Sequence, residues 1–200
     1  MKKLSAISII FALIAVAVVV NARTTAEIPA PPAIGATIAD FTLTDAAGAA
    51  QTLQSLEGKN GTVLIFVATQ CPVSNAYNDR MEKLAQDFKA RGINVVGINS
   101  NFSESASDMK DHAAKNKLTF AILKDNGNKV ADQLGATRTP EAYFLDSTNK
   151  LLYHGRIDNS RDLAQVNTSE LRDALEAALA GKPIAKPTAN AFGCSIKRPE

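Results

Sequence analysis

One run of seven residues, Thr62-Val63-Leu64-Ile65-Phe66-Val67-Ala68, constrains this chain most. It is apolar or β-branched throughout and ends at the polar pair Thr69-Gln70, just before Cys71-Pro72. A strand without polar alternation must be covered on both faces, so the run predicts the centre of a sheet lying between two further layers. Pro72–Arg91 has apolar residues at 73, 77, 81, 84, 85 and 88 and is stopped by Gly92, which reads as one continuous covering helix. Ile93–Ile98 is a second buried strand, and Phe120–Leu123 a third, shorter one. Ser105-Ala106-Ser107-Asp108 has the spacing of a capping box that opens a helix towards Lys117. Val130–Leu134 is a short helix closed by Gly135.

Upstream, Phe41-Thr42-Leu43-Thr44 alternates like a half-buried strand and ends at the turn Asp45-Ala46-Ala47-Gly48. Downstream, Ala142–Leu145 and Leu151–Ile157 are strands whose tight connection, Ser147-Thr148-Asn149, implies an antiparallel pair. Asn167–Glu170 offers a second capping signal, and the helix it opens runs through Leu171, Leu175 and Leu179 to Gly181. Together these segments predict an α/β fold, a central mixed β-sheet with helices on both faces. Globular patterning occupies residues 34–181 and contains no internal repeat. Residues 23–33, with Pro29, Pro31 and Pro32, read as a short stiff linker. Residues 182–200, with prolines at 183, 187 and 199 and no period, read as a flexible tail that contains Cys194.

Residues 1–22 read as a targeting segment. Lys2 and Lys3 precede an apolar run from Ile9 to Val20, and Val20-Asn21-Ala22 closes it, the layout of a secretory signal peptide. A membrane anchor through residues 4–20 is the alternative, at the lower edge of what spans a bilayer. Either reading puts the chain in a periplasmic or other extracytoplasmic space, where disulfides persist. The net charge is +2, from 22 basic and 20 acidic residues, and loss of Lys2 and Lys3 leaves it balanced. That argues against a nucleic-acid binder working by phosphate neutralisation and suits a thiol or small-molecule substrate. With two cysteines and two histidines, a dense disulfide scaffold and a four-cysteine zinc module are excluded. No cofactor and no metal is expected.

Cys71 stands where strand gives way to helix, and proline at the first helical position puts it at the cap. A thiolate there meets free backbone N–H groups and the positive end of the helix dipole, both of which lower a thiol pKa. A cysteine serving only as a small hydrophobe would instead sit inside the apolar run.

A strand entering Thr69-Gln70-Cys71-Pro72-Val73-Ser74, followed by a helix, resembles the active-site entry of thioredoxin-fold proteins. Thr139-Pro140, shortly before Ala142-Tyr143-Phe144-Leu145-Asp146, is similar to that group's cis-proline loop. The spacing of Asp125, Val130–Ala136 and Thr139 resembles the redoxin branch. This is the AhpC/TSA (peroxiredoxin-like) family of alkyl hydroperoxide reductase and thiol-specific antioxidant proteins. Within it, the likeness is to members with a Cys-Pro active site and a Gly-Cys tail, here Gly193-Cys194-Ser195-Ile196-Lys197. It covers residues 36–198.

The resemblance implies a thioredoxin-like fold with Cys71 as catalytic thiol and Cys194 as candidate resolving cysteine. Pro72, Ser74, Thr139, Pro140 and Arg138 would support the site, the Thr139 main chain pairing with bound substrate and Arg138 steadying a thiolate or anion. Two departures matter. Ser74 holds the place of a thioredoxin's second cysteine, and Leu64 and Ala68 stand where peroxiredoxins carry proline and threonine or serine. His112 and His154 read as surface or packing residues, and Asp158 with Asn159-Ser160-Arg161 as candidates for the rim.

The expected function is that of an exported thiol-disulfide oxidoreductase. The alternatives are a peroxiredoxin-like thiol peroxidase, or a redoxin-fold module that binds a thiol protein or metal without turnover. Partners would be a thiol or disulfide protein, a small thiol or a hydroperoxide, with an external reductant. Nucleic acid is not expected, and membrane attachment would run only through residues 4–20.

Overall fold

The computed structural model of this chain describes residues 28–199. The leader expected over residues 1–22 lies outside them. Among the described residues, no helix is long and apolar enough to cross a membrane.

The central run becomes strand β3, Gly61–Phe66, buried at every position. Its alternate side chains enter two separate apolar layers, Val63 and Ile65 in one, Leu64 and Phe66 in the other. Burying side chains of this size stabilises a fold by roughly 1.5–3 kcal/mol each, which is why this strand anchors the sheet. β4 (Ile93–Asn99) runs parallel to β3, and β5 (Ala121–Lys124) parallel to β4. On the other side, β7 (Glu141–Leu145) is antiparallel to β3 and pairs with β8 (Leu151–Gly155). β1 (Thr42–Asp45) and β2 (Ala50–Thr52) complete a seven-stranded mixed sheet in the order β2-β1-β5-β4-β3-β7-β8.

Helices lie on both faces. α2 (Asn78–Lys89), α3 (Ala106–Lys115) and α5 (Glu170–Leu179) pack in the layer of Val63 through Leu84, Phe88, Met109 and Leu175. α4 (Lys129–Leu134) packs in the opposite layer through Val130 and Leu134. The parallel strands β3 and β4 end at the same edge, so the loops that follow them, at Thr69–Cys71 and Ser100–Glu104, meet there.

The structure departs from the sequence expectations at several points. The helix expected over Pro72–Arg91 is two helices, α1 (Pro72–Asn75) and α2, broken at Ala76-Tyr77. Tyr77 is buried with its hydroxyl donating to Asp158 and the Arg80 guanidinium 3.6 Å above its ring, and its carbonyl caps α2 by accepting from Met81 N. The spacing 73–77–81 is the same for a kinked helix as for a straight one, so periodicity does not reveal the break. β2 is a polar edge strand of three residues with no apolar alternation to announce it. Ser105 closes the expected capping box with Asp108, but Ser169 makes no side-chain cap, and Glu170 binds Arg156 and Thr168 instead.

The tail makes several contacts with the domain. Residues 187–189 hydrogen-bond to both main-chain groups of His154, and Cys194–Ser195 (β9) pairs antiparallel with Arg138–Thr139 (β6) in a separate two-stranded sheet. Ile196 is buried in the layer of Leu64. A segment fixed by backbone pairing and a few alternate contacts is too short for its pattern to be read from the sequence.

Candidate active site

Cys71 is the N-cap of α1, with Pro72 at the first helical position. Its sulfur is buried and accepts a hydrogen bond from Ser74 N at 3.3 Å, and it lies 3.4 Å from the Thr139 carbonyl oxygen. The N–H favours a thiolate, whereas the carbonyl can accept a hydrogen bond from the thiol and favours the protonated form. α1 is a single turn, so the local N–H carries the effect that a long helix dipole was expected to supply. Ser74 is also buried, its hydroxyl accepting from Ala68 N at 3.2 Å, so the place of a second cysteine serves to fix the chain ahead of the first.

Cys71 and Cys194 are joined as a disulfide across 123 residues of sequence, with Cα atoms 6.0 Å apart. The peptide bond Thr139-Pro140 is cis, and Thr139 stands opposite Cys194 in the β6–β9 ladder. Gly193 has φ +147°, and a Cβ there would lie 2.0 Å from the Thr139 carbonyl oxygen, so only glycine lets the tail come this close. Arg138 donates through Nη1 to Ser195 Oγ at 3.0 Å, placing its guanidinium on the tail strand.

Three residues that sequence reasoning missed hold this arrangement. Glu104, 3% exposed, accepts from Thr69 N at 2.7 Å and Gln70 N at 3.2 Å, fixing the loop that delivers Cys71. Burial alone would push its carboxyl up, but these two bonds and the Asn99 amide outweigh it and hold it below the usual glutamate range. Asn101 donates to Glu104 and accepts from Lys197 N at 2.8 Å, linking the tail to the same loop. Tyr77 packs edge-on against Phe192 of the tail, with ring centres 6.3 Å apart. The one available signal was positional: Glu104 and Cys71 both follow the carboxyl ends of parallel strands, where α/β folds build their sites.

Glu141 lies behind β6. Its carboxylate accepts from Thr137 N and Arg138 N, both at 2.8 Å, and from Tyr143 Oη and faces His154 Nε2 at 2.7 Å. Burial pushes this carboxyl up, and His154 and the two N–H groups bring it below its ordinary value. His154 stacks on Tyr143, and His112 contacts the Asn78 and Asn116 amides, so both histidines are packed polar residues. Asp158 reaches the rim through Tyr77. Thr69 Oγ1 and Thr139 Oγ1 are buried with no hydrogen-bond partner among the described residues. Among those residues, too, no cluster of three His, Cys, Asp or Glu side chains could hold a metal ion.

Comparison with known proteins gives a consistent set of likenesses. The AhpC/TSA family pattern matches residues 34–154, which include Cys71 and the cis-proline loop but stop short of Cys194. A chloroplastic peroxiredoxin Q of Sedum lineare is 33% identical over 142 residues, 64% of this chain and 73% of that protein. Thiol-disulfide oxidoreductase ResA of Halalkalibacterium halodurans is 29% identical over 113 residues, 56% of this chain and 62% of that one. The crystal structure of a hypothetical protein from Sinorhizobium meliloti matches with a TM-score of 0.78 and 30% identity, over 84% of this chain and 96% of that one.

Proposed function

Since this chain belongs to the AhpC/TSA family, whose relatives here are thiol-dependent oxidoreductases and peroxidases, we propose that it is a thiol-disulfide oxidoreductase with Cys71 as nucleophile and Cys194 as resolving cysteine. The observation that carries this reading is the pairing of Cys71 with Cys194 beside the cis-proline loop. Cys71 thiolate attacks one sulfur of a substrate disulfide, and the other sulfur leaves as a thiolate. Cys194 thiolate then attacks Cys71 Sγ, releasing the second substrate thiol and forming the internal disulfide. The substrate has gained two electrons, and an external dithiol returns them to the enzyme. Ser74 N and the loop held by Glu104 fix Cys71, while Pro72, Thr139 and Pro140 shape its surroundings.

A second reading as a thiol peroxidase draws on the likeness to peroxiredoxin Q. Ala68 weighs against it, because its methyl stands in place of the threonine or serine hydroxyl and cannot hydrogen-bond a peroxide oxygen. The layout of residues 1–22 supports export, with the leader cleaved or kept as an anchor, and the domain reading of 34–181 with an appended tail fits the same picture.

The test is to treat reduced protein separately with a small disulfide and with hydrogen peroxide and to follow intact mass. Fast formation of a mixed disulfide at Cys71 that collapses to Cys71–Cys194 is expected with the first. Fast internal disulfide formation only with peroxide would favour the peroxidase, and no reaction with either would leave a binding module.

A further inference from the structure

Around the two-residue strand β9 the tail runs through the site with residues 192, 194 and 196 turned inward and Arg198 pairing at its outer end. Phe192 meets Tyr77, Cys194 bonds Cys71, Ile196 is 5% exposed in the core layer, and Arg198 pairs with Asp132. A period of two is what a bound β-strand shows, whereas a linker that merely carries a cysteine has no reason to show it. The main chain is held as well: Ile196 N donates to Thr137 O at 3.0 Å, Phe102 N to Lys197 O at 3.1 Å and Lys197 N to Asn101 Oδ1 at 2.8 Å. Between these contacts, Gly193 passes the Thr139 carbonyl with no room for a side chain.

We infer that the tail occupies a sequence-selective peptide groove, and that the groove's other occupant is a segment of a partner protein presenting aromatic-Gly-Cys-X-aliphatic-X-basic in extended form. The inference deepens the thiol-disulfide reading and rests on it. The groove sets four requirements. Tyr77 offers an aromatic edge two positions before the cysteine, and the Thr139 carbonyl demands glycine one position before it. The layer under Ile196 takes a branched aliphatic two positions after it, and Asp132 takes a cation four positions after. The tail, tethered to the same molecule, competes with every partner, so a partner strand enters only once the internal disulfide is open.

The experiment uses the reduced full-length chain carrying Cys194→Ser, so that Cys71 alone reacts. Three synthetic heptapeptides are supplied, each with its cysteine joined by a disulfide to thionitrobenzoate. The parent reads Phe-Gly-Cys-Ser-Ile-Lys-Arg, the second has alanine in place of glycine, and the third has aspartate in place of isoleucine. Cys71 thiolate attacks the peptide sulfur, the bond to thionitrobenzoate breaks, and its coloured thiolate leaves with the electron pair. One disulfide is lost and one is made.

The parent is expected to react about tenfold or more faster than either altered peptide, in line with one blocked approach and one lost apolar burial. Intact mass should show the peptide on Cys71. Adding Gly193→Ala to the chain, which unseats the tail, should raise all three rates and keep their ranking. Equal rates for the three peptides and for a thionitrobenzoate disulfide of cysteamine would overturn the selective groove while leaving the thiol chemistry standing. No release from any of them would overturn the groove and the proposed function together.

Discussion

The two cysteines of this protein are held in opposite ways. Cys71 lies between β3, buried at every position, and the helices of one core layer, and its loop is tied to Glu104 by two main-chain hydrogen bonds. Cys194 lies on a two-residue strand at the margin, secured by pairing with β6, by Ile196 and by surface contacts such as Arg198–Asp132. One sulfur is a fixed point of the sheet and the other hangs from a strap. In the proposed disulfide cycle the fixed sulfur receives substrate and the tail sulfur displaces it, and the inequality of the two anchors is the feature that would give that cycle its direction.

The largest effect should come from cutting the strap. A crosslink closing a loop of this length restricts the unfolded chain by roughly 5 kcal/mol in the entropy model. Urea unfolding of the oxidised protein and of Cys194→Ser should therefore differ by several kcal/mol, with near-native circular dichroism in both. A difference near zero would mean that the crosslink adds nothing to stability and would contradict the loop-entropy argument.

Next in size is the anchor of the fixed sulfur. Glu104→Ala leaves Thr69 N, Gln70 N and two amides without their acceptor in a buried place, a loss of about 3 kcal/mol by the usual cost of such orphans. It should also slow alkylation of Cys71 in the reduced protein while sparing Cys194. Equal slowing of both sulfurs would show a general loosening instead.

Acid should act on the same anchor. Glu104, Glu141 and Glu170 all have carboxyls held below their ordinary value, Glu170 at about 2. A carboxyl lowered by folding stabilises fully above its unfolded value of about 4.3 and loses that contribution as pH falls through the folded value. The carboxyl contribution should thus be flat from neutral pH down to about 5 and then decline, while His112, lowered by burial, already removes some stability as pH falls below its unfolded value of about 6.5. The decline should be shallower in Glu104→Gln. A titration that rises towards acid would contradict the sign.

The smallest effect should come from the strap's outer contact. Arg198→Ala removes an ion pair whose aspartate is 46% exposed, worth about 0.2–1 kcal/mol at such a site. The readout is tail protection by hydrogen exchange in the reduced protein, where a slight loss is expected at Ile196 and none in β3.

The same contrast explains what the sequence made legible. Cys71 was legible because three local signals converge on it: an apolar strand, a polar exit and Pro72. The mixed sheet with helices on both faces followed from the period of β3, β4 and α2. The strap was not legible, because β9 is specified by its partner β6, and the alternation at Phe192, Cys194 and Ile196 is too short to stand out in a proline-rich tail. Glu104 and Asn101 were missed for a related reason. They sit in a polar loop with no repeat, and only the parallel pairing of β3 with β4 brings them under Cys71. Tyr77 was read as one more apolar position in a helix, and its hydroxyl contact with Asp158, far away in sequence, was invisible.

The proposed order, in which Cys71 meets the substrate and Cys194 comes second, can be read out by trapping. The single variants Cys194→Ser and Cys71→Ser, both full-length and reduced, are mixed with the same disulfide substrate and quenched with acid, and their intact masses are compared. A persistent substrate adduct is expected on Cys71 in the first variant and little or none on Cys194 in the second. A stable adduct on Cys194, or equal trapping on both, would contradict it.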